Sequence, residues 1–355
     1  MKKMLAVVLG LLISVAGAEQ LLTPGVSLDY GPLAFRPDAW KKAGLSTQMT
    51  PWSGELVVFL TTSSNFEGAV MAQFVARLDA GWRLYADLTG RTPRLFKHFG
   101  GRATIAAVPR GELTCGLGCG YIGVTGIEVC GFYNHDYPLI AAQTNAFPHY
   151  YFYEMGRNFY TFGERHALFL TGYAVFMRYV CMDALGCEDP DRATRRIIEE
   201  AEALYAKTDL DFLRAFTAVC GLGEKEPRLK RPDGRPLQPS DQPVLYASAM
   251  LKLRRDCGGD QWLKRFYAEL AKCPPFKGQD REAALRQSLN WLVAASCAAR
   301  QDLSGVFADR WRLPLNRATR AALALVRWHD PTTDAIAVLA QLPKDIGALS
   351  KEGHP

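Results

Sequence analysis

The sequence predicts an α+β protein, with a small mixed sheet and its helices in the N-terminal half followed by an all-helical C-terminal half. Three observations predict it. Two β-rich apolar runs, Glu55–Leu60 and Ala103–Val108, flank a long amphipathic stretch. From about Ala146 the apolar spacing is helical almost to the end. A proline-rich stretch, 226–243, with Pro227, Pro232, Pro236, Pro239 and Pro243 among charges, marks a surface loop or boundary between the halves.

In chain order, the first residues are Met1-Lys2-Lys3, an apolar stretch from Met4 to Val15, and Ala16-Gly17-Ala18. This has the form of a secretory signal peptide, with a basic start, a short apolar middle and small residues at the cleavage positions. The apolar stretch is short for a bilayer span, no second such run follows, and no membrane span is expected after cleavage. The expected location is secreted or periplasmic. The formal charge is +6, two units of which come from Lys2 and Lys3. Mild basicity with interspersed signs does not point to nucleic acid or to a membrane surface.

Residues 19–54 read as an extended lead-in, rich in proline and glycine and without a sustained period. Glu55–Leu60 is then a buried strand. A helix capped by Asn65 runs to Leu88, with Phe66, Val70, Phe74, Leu78, Trp82 and Tyr85 on one face and Thr89-Gly90 as its stop. Ala103–Val108 is a second strand, ended by Pro109. After a glycine-dense loop, Gly116 to Gly120, Tyr121–Val124 and Thr125–Val129 read as short strands around a turn. No helix opens directly after these glycines, so they serve turn geometry rather than a phosphate cradle. Helices are expected at 147–161, 167–184, 191–205, 209–220, 242–256, 260–272, 280–299 and 317–327. The domain division is a leader at 1–18, the lead-in, an α/β domain at 55–225, the proline-rich loop, a helical subdomain at 244–330 and a tail at 331–355.

Nine cysteines lie beyond the leader. In an oxidising compartment they favour disulfides over metal clusters, and the odd count leaves one thiol over. Cys115–Cys119, Cys181–Cys187 and Cys257–Cys273 each join the ends of a short excursion. A zinc ribbon at Cys115 and Cys119 would need a second close pair, and Cys130 stands alone.

The chemistry-bearing stretch is Phe147–Tyr160 with Leu170–Arg178 after it. Its helix Tyr153-Glu154-Met155-Gly156-Arg157-Asn158 resembles the His-Glu-x-Gly-His-Asn helix of enhancin-like, mucin-degrading metallopeptidases. The next segment is similar to the Glu-Gly-x-Ala-x-x-x-Arg segment of plant basic-secretory-protein peptidases, through Gly172, Ala174 and Arg178. Leu292–Ala294, Asp302–Phe307 and Trp311–Pro314 are similar to the helical tail of the enhancin-like group. The resemblance spans residues 55 to 315 and implies a zincin-like (gluzincin) N-terminal half. It places Glu154 at the general-base position and Tyr153, Arg157 and Thr171 at the three zinc-ligand positions. All three depart from the pattern.

A catalytic zinc site needs two His one helical turn apart and a third donor, with an open position for water. Arg157 stays protonated at any working pH and puts a cation where the family holds its metal. Tyr153 is a rare ligand and Thr171 a poor one, so no metal and no zinc cofactor is expected. Arg157 can instead pair with Glu154 three residues earlier. A His149–Tyr153 pair beside Glu154 is a further arrangement for a metal, but its ligand count falls short.

Three readings follow. The helix is a core helix that never held a site, its aromatic stripe being packing. It is the remnant of a zincin centre in a catalytically inactive homologue that binds peptide or glycan in the former cleft. Or it belongs to an active hydrolase with Glu154 as general base and Arg157 as oxyanion partner, with a non-standard metal or none. For the binding reading, the edge at Gly123 to Thr125 offers strand addition to a peptide. Tyr150, with Tyr151 and Tyr160, offers stacking faces to a glycan.

Overall fold

The structure is a computed structural model describing residues 29–163, 169–217, 229, 234, 241–276 and 280–346. The leader at 1–18, most of the proline-rich stretch and His166 lie outside the described residues. The fold is mixed α+β, with a sheet in the N-terminal half and a helical C-terminal region, as the sequence predicts.

Strands β1 (Thr50–Ser53), β2 (Val57–Thr61), β3 (His98–Phe99), β4 (Arg102–Ala107), β5 (Gly118–Gly120) and β6 (Ile127–Val129) form one sheet. Its order is β1-β2-β4-β6-β5, with β3 paired to β4. β2, β4 and β6 run parallel, while β1 and β5 are antiparallel to their neighbours at the two edges. The crossover between β2 and β4 is helix α2 (Gly68–Thr89). Val57, Phe59, Ile105 and Ala107 point to the main core, and Val58, Leu60, Ala106 and Val108 to the opposite face. Both faces are covered, which is why these strands read as unbroken apolar runs rather than as alternation.

The covering of the second face corrects one expectation. The stretch read as extended contains α1 (Pro37–Lys42) and the edge strand β1. Pro37 opens α1, where its fixed φ is helical and its missing N–H costs nothing. Tyr30, Ala34, Trp40, Leu45 and Met49 are buried against the sheet. A six-residue helix is too short for a period to show.

α2 starts later than the Asn65 cap predicts. Glu67 precedes its first turn, without a side-chain capping bond. Phe66 is drawn into an aromatic cluster instead, 4.5 Å from Tyr137 and 5.3 Å from Phe132 between ring centroids. Gly90 ends α2 in the left-handed conformation, as predicted. Midway along α2, buried Asp79 accepts backbone N–H bonds from Glu55 (2.6 Å), Leu56 (2.9 Å) and Val57 (2.9 Å). One carboxylate thereby fixes where β2 begins.

The short strands differ from the expected register. β5 lies inside the glycine-dense loop and pairs with β6, while Tyr121 to Gly126 forms the turn, with left-handed Gly123 and Gly126. The strand sits where its glycines allow a helix to approach.

The helices after the sheet are α3 (Tyr137–Ala142), α4 (Tyr150–Phe159), α5 (Leu170–Ala184), α6 (Arg192–Tyr205), α7 (Phe212–Thr217), α8 (Asp241–Asp256), α9 (Gly259–Lys272), α10 (Arg281–Ala299), α11 (Arg317–Ala324) and α12 (Ala335–Gln341). All but α3 and α12 fall on expected segments. α4 packs on α5, α5 on α8, and α9 on α10. Gly156 permits the α4–α5 approach: a Cβ there would stand 3.2 Å from the Ala174 Cα. Behind these helices Trp291 is ringed by Phe169, Tyr246, Phe307 and Trp311, all within 5.4 Å between centroids. Glu202 ties the C-terminal segment down through Arg310 and the Trp311 indole N–H (2.8 Å).

Of the three expected disulfides, Cys115–Cys119 is formed. The other two pairs are not joined. Cys181 lies on the α2 side of α5, where its Sγ would be 3.2 Å from a Cβ on Gly81. Cys273 turns its thiol to the Glu269 and Asn290 carbonyls instead of toward Cys257.

Candidate functional site

α4 lies against β5, and Glu154 is the residue at their contact. Only 5% of Glu154 is exposed. Gly118 and Gly120 lie directly on it. A Cβ on Gly118 would be 2.9 Å from Glu154 Oε1, and one on Gly120 would be 2.5 Å from the Glu154 carbonyl oxygen. The glycines the sequence assigned to turn geometry therefore serve close packing of a strand on a carboxylate.

Arg157 is one helical turn on and half-buried. Its Nε stands 3.8 Å from Glu154 Oε2 and donates to the Gly120 carbonyl at 3.2 Å. The expected pairing of Glu154 with Arg157 is present, and the same guanidinium also reaches the outer edge strand. Glu154 Oε2 is buried and accepts no hydrogen bond. Burial pushes the Glu154 carboxyl up to about 7, against the opposing pull of Arg157 and of a backbone hydrogen bond from Gly120.

Tyr153 is half-buried, and the Arg178 guanidinium lies 5.7 Å from its ring centroid and 4.7 Å from that of Tyr179. Arg178 is itself buried, and its Nε has no hydrogen-bond partner. Asn158 holds the turn after β5 by donating to the Tyr121 carbonyl (2.8 Å) and the Gly126 carbonyl (3.3 Å). Thr171 is half-buried in the first turn of α5, beside Gly172, whose missing side chain makes room for the Tyr246 ring.

These positions do not fit a zinc ion. The first is an aromatic ring under a guanidinium, the second is a guanidinium paired with the carboxylate, and the third offers a single hydroxyl. Among the described residues, no three His, Cys, Asp or Glu side chains are grouped to hold a metal.

The remaining expected binding residues fall elsewhere. Thr125 is fully buried; its hydroxyl donates to the Lys97 carbonyl (2.7 Å) and accepts from the Phe96 N–H (2.8 Å). The Gly123 N–H donates to the Arg157 carbonyl at 3.0 Å. The backbone there is spent inside the protein, which corrects the expectation of a free docking edge at Gly123 to Thr125. Tyr151 and Tyr160 are buried and offer no stacking face. Tyr150 is partly exposed on the wall of a cavity at the start of α4 and bonds Asp136, which also accepts from Tyr151 at 2.7 Å.

Sequence reasoning missed the glycine contact with Glu154, and it missed the partner of His149, whose Nδ1 lies 3.0 Å from the carboxylate of Asp189. Forty residues separate these two, and only the return of the chain after α5 brings them together.

No protein-family model and no curated protein matches the chain. Solved structures do. A conserved protein of unknown function from Bacillus anthracis matches at 11% identity over 81% of this chain and 54% of its own, with a TM-score of 0.50. A metallopeptidase from Bacteroides thetaiotaomicron matches at 12% identity over 87% of this chain and 49% of its own, with a TM-score of 0.47. The chain spans about half the length of each. At such identities the likeness concerns the fold.

Proposed function

We propose that this chain is an exported, catalytically inactive relative of zincin-like metallopeptidases that acts by binding a peptide or glycan rather than by hydrolysis. The observation that carries this reading is the Arg157 guanidinium, 3.8 Å from Glu154 Oε2 and bonded to Gly120. A fixed cation sits where a metal-activated water would need a dication and an open position. The form of Met1 to Ala18 supports export. The packing of β5 on Glu154 leaves the retained carboxylate buried beneath a strand, out of reach of a substrate. Purified protein is expected to hold no stoichiometric zinc and to leave peptide and mucin substrates intact. Zinc-dependent hydrolysis abolished by Glu154→Gln would overturn the reading.

One observation favours a second reading. Glu154 has a carboxyl near 7 and a buried oxygen that accepts no hydrogen bond, which are the properties of a general base at neutral pH. It requires Arg157 to leave Gly120 and expose the carboxylate. A pH–rate profile rising through about 7 and lost in Glu154→Gln would establish it.

A further inference from the structure

β5 divides its residues between the two faces of the sheet. Gly118 and Gly120 lie on Glu154 and α4. Cys119, between them, is buried on the other face, directly opposite Glu128 of β6 in the antiparallel register. Opposed residues of such a pair place their side chains on one side. The two sulfurs of the Cys115–Cys119 disulfide therefore differ in access. Cys119 is 3% exposed, whereas Cys115 is exposed at the start of a loop whose Gly116 stands in open space and whose Leu117 is 61% exposed. A second molecule can reach Cys115, and Cys119 faces interior groups.

Those groups suit a leaving thiolate. Cys119 Sγ accepts from the Cys115 N–H (3.2 Å) and from the hydroxyl of buried Thr114 (3.4 Å). The same hydroxyl is within reach of the Glu128 carboxyl and opposes its rise. Its one hydrogen is spent on the sulfur, and Glu128 Oε2 stays buried without a hydrogen bond. A protonated Glu128 can donate to the Thr114 oxygen while Thr114 donates to Cys119. Burial raises this carboxyl to about 7 against the pull of Thr114, the Phe35 N–H, Lys97 and Arg36, and Tyr121 faces it as well. It therefore holds a proton through much of the neutral range.

We infer that Cys115–Cys119 is a thiol–disulfide exchange site that oxidises a dithiol, with Cys115 the attacked sulfur, Cys119 the leaving group and Glu128 its proton donor across Thr114. A substrate thiolate attacks Cys115 Sγ, the bond between the two cysteines breaks, and Cys119 leaves as a thiolate. Thr114 passes its proton to Cys119 and takes that of Glu128. The second substrate thiol, deprotonated to water, then attacks the substrate sulfur bound to Cys115. A substrate disulfide forms, and Cys115 leaves as a thiolate that takes a proton from water. The dithiol loses two electrons and two protons, the cysteine pair gains both, and Glu128 is reprotonated from solvent. The site lies on the far face of the sheet from Glu154 and stands whether or not α4 derives from a metal helix.

The test uses the full oxidised chain and dithiothreitol, with acid quenching, alkylation, and mass mapping of the peptides that carry Cys115, Cys119 and Cys130. Rate constants are expressed per dithiothreitol thiolate, so that the titration of the reductant drops out. The disulfide should be reduced faster in the folded wild type than in the urea-unfolded chain. Its rate constant should fall as pH rises through about 7, where Glu128 loses its proton. Glu128→Gln and Thr114→Val should each remove that slope and lower the constant on its acid side about a hundredfold, the lower end of what a positioned acid contributes. In Cys119→Ser, oxidised glutathione should mark Cys115. Slower reduction in the folded chain, a flat wild-type profile, unchanged rates in both variants, or marking of Cys130 in place of Cys115 would each overturn the inference. Should neither variant fold, the wild-type profile and the folded-to-unfolded comparison decide it alone.

Discussion

Replacing Glu154 by Gln probes the strand–helix contact directly, because it removes a charge and leaves the shape. The folded carboxyl titrates at about 7 against 4.5 for the free side chain. At roughly 1.4 kcal/mol per tenfold change in proton affinity, ionising it in place costs the fold about 3 kcal/mol. The sign follows from the raised value: the cost is absent below about pH 4.5, grows between 4.5 and 7, and is fully present above 7. Gln never pays it, but leaves an amide N–H unpaired beside Gly118 and Gly120, a loss of about 1 kcal/mol. The variant should therefore be less stable than wild type by about 1 kcal/mol at pH 4.5 and more stable by about 2 kcal/mol at pH 8. Urea unfolding at the two pH values measures both. Equal destabilisation at the two would show that the carboxylate is held as a satisfied ion, and the account of a sealed, desolvated Glu154 would be wrong.

Other consequences can be checked in the same way. Glu128, buried on the opposite face of the sheet, is likewise raised to about 7 by burial, with Oε2 unpartnered and Oε1 accepting the Phe35 N–H at 2.7 Å. Its contribution also falls as pH rises through the 4.5 to 7 window, so Glu128→Gln should flatten the loss of thermal stability over that range. Asp79→Ala strands three backbone N–H groups at the start of β2 and should cost about 3 kcal/mol in denaturant unfolding at neutral pH. Gly120→Ala places a methyl 2.5 Å from the Glu154 carbonyl, forcing α4 off β5. It should cost about 2 kcal/mol and raise the exchange rates of the α4 amides, whereas Gly68→Ala, in open space, should leave those rates unchanged.

Much of the architecture was legible because it rests on period and punctuation. The α2 stripe and its Gly90 stop, the unbroken strands β2 and β4, and the long helices from α4 to α10 all carry their pattern locally. What was not legible depends on contacts distant in sequence. Trp40 reads as one aromatic in a proline-rich lead-in until the sheet face it covers is known. Gly118 and Gly120 look like turn residues because the helix that needs them begins thirty positions later. The Glu154–Arg157 pair was legible from its spacing on one helix. The second bond of Arg157, to Gly120, was not. Thr125 looked like an edge residue because it sits at a turn, whereas its hydroxyl is spent on Phe96 and Lys97. His149 was weighed as a partner of Tyr153 on its own helix, but its partner is Asp189, brought back by the turn after α5.

The proposed reading holds that α4 and α5 derive from the scaffold of a zinc site, with Tyr153, Arg157 and Thr171 standing at the former ligand positions and excluding the metal. It is tested most directly by measuring zinc per folded chain, after gel filtration in zinc-containing buffer, for wild type and for the triple variant Tyr153→His, Arg157→His, Thr171→Glu. The account predicts no retained zinc in the wild type and about one per chain in the variant. About one zinc in the wild type, or none in a folded variant, would contradict it.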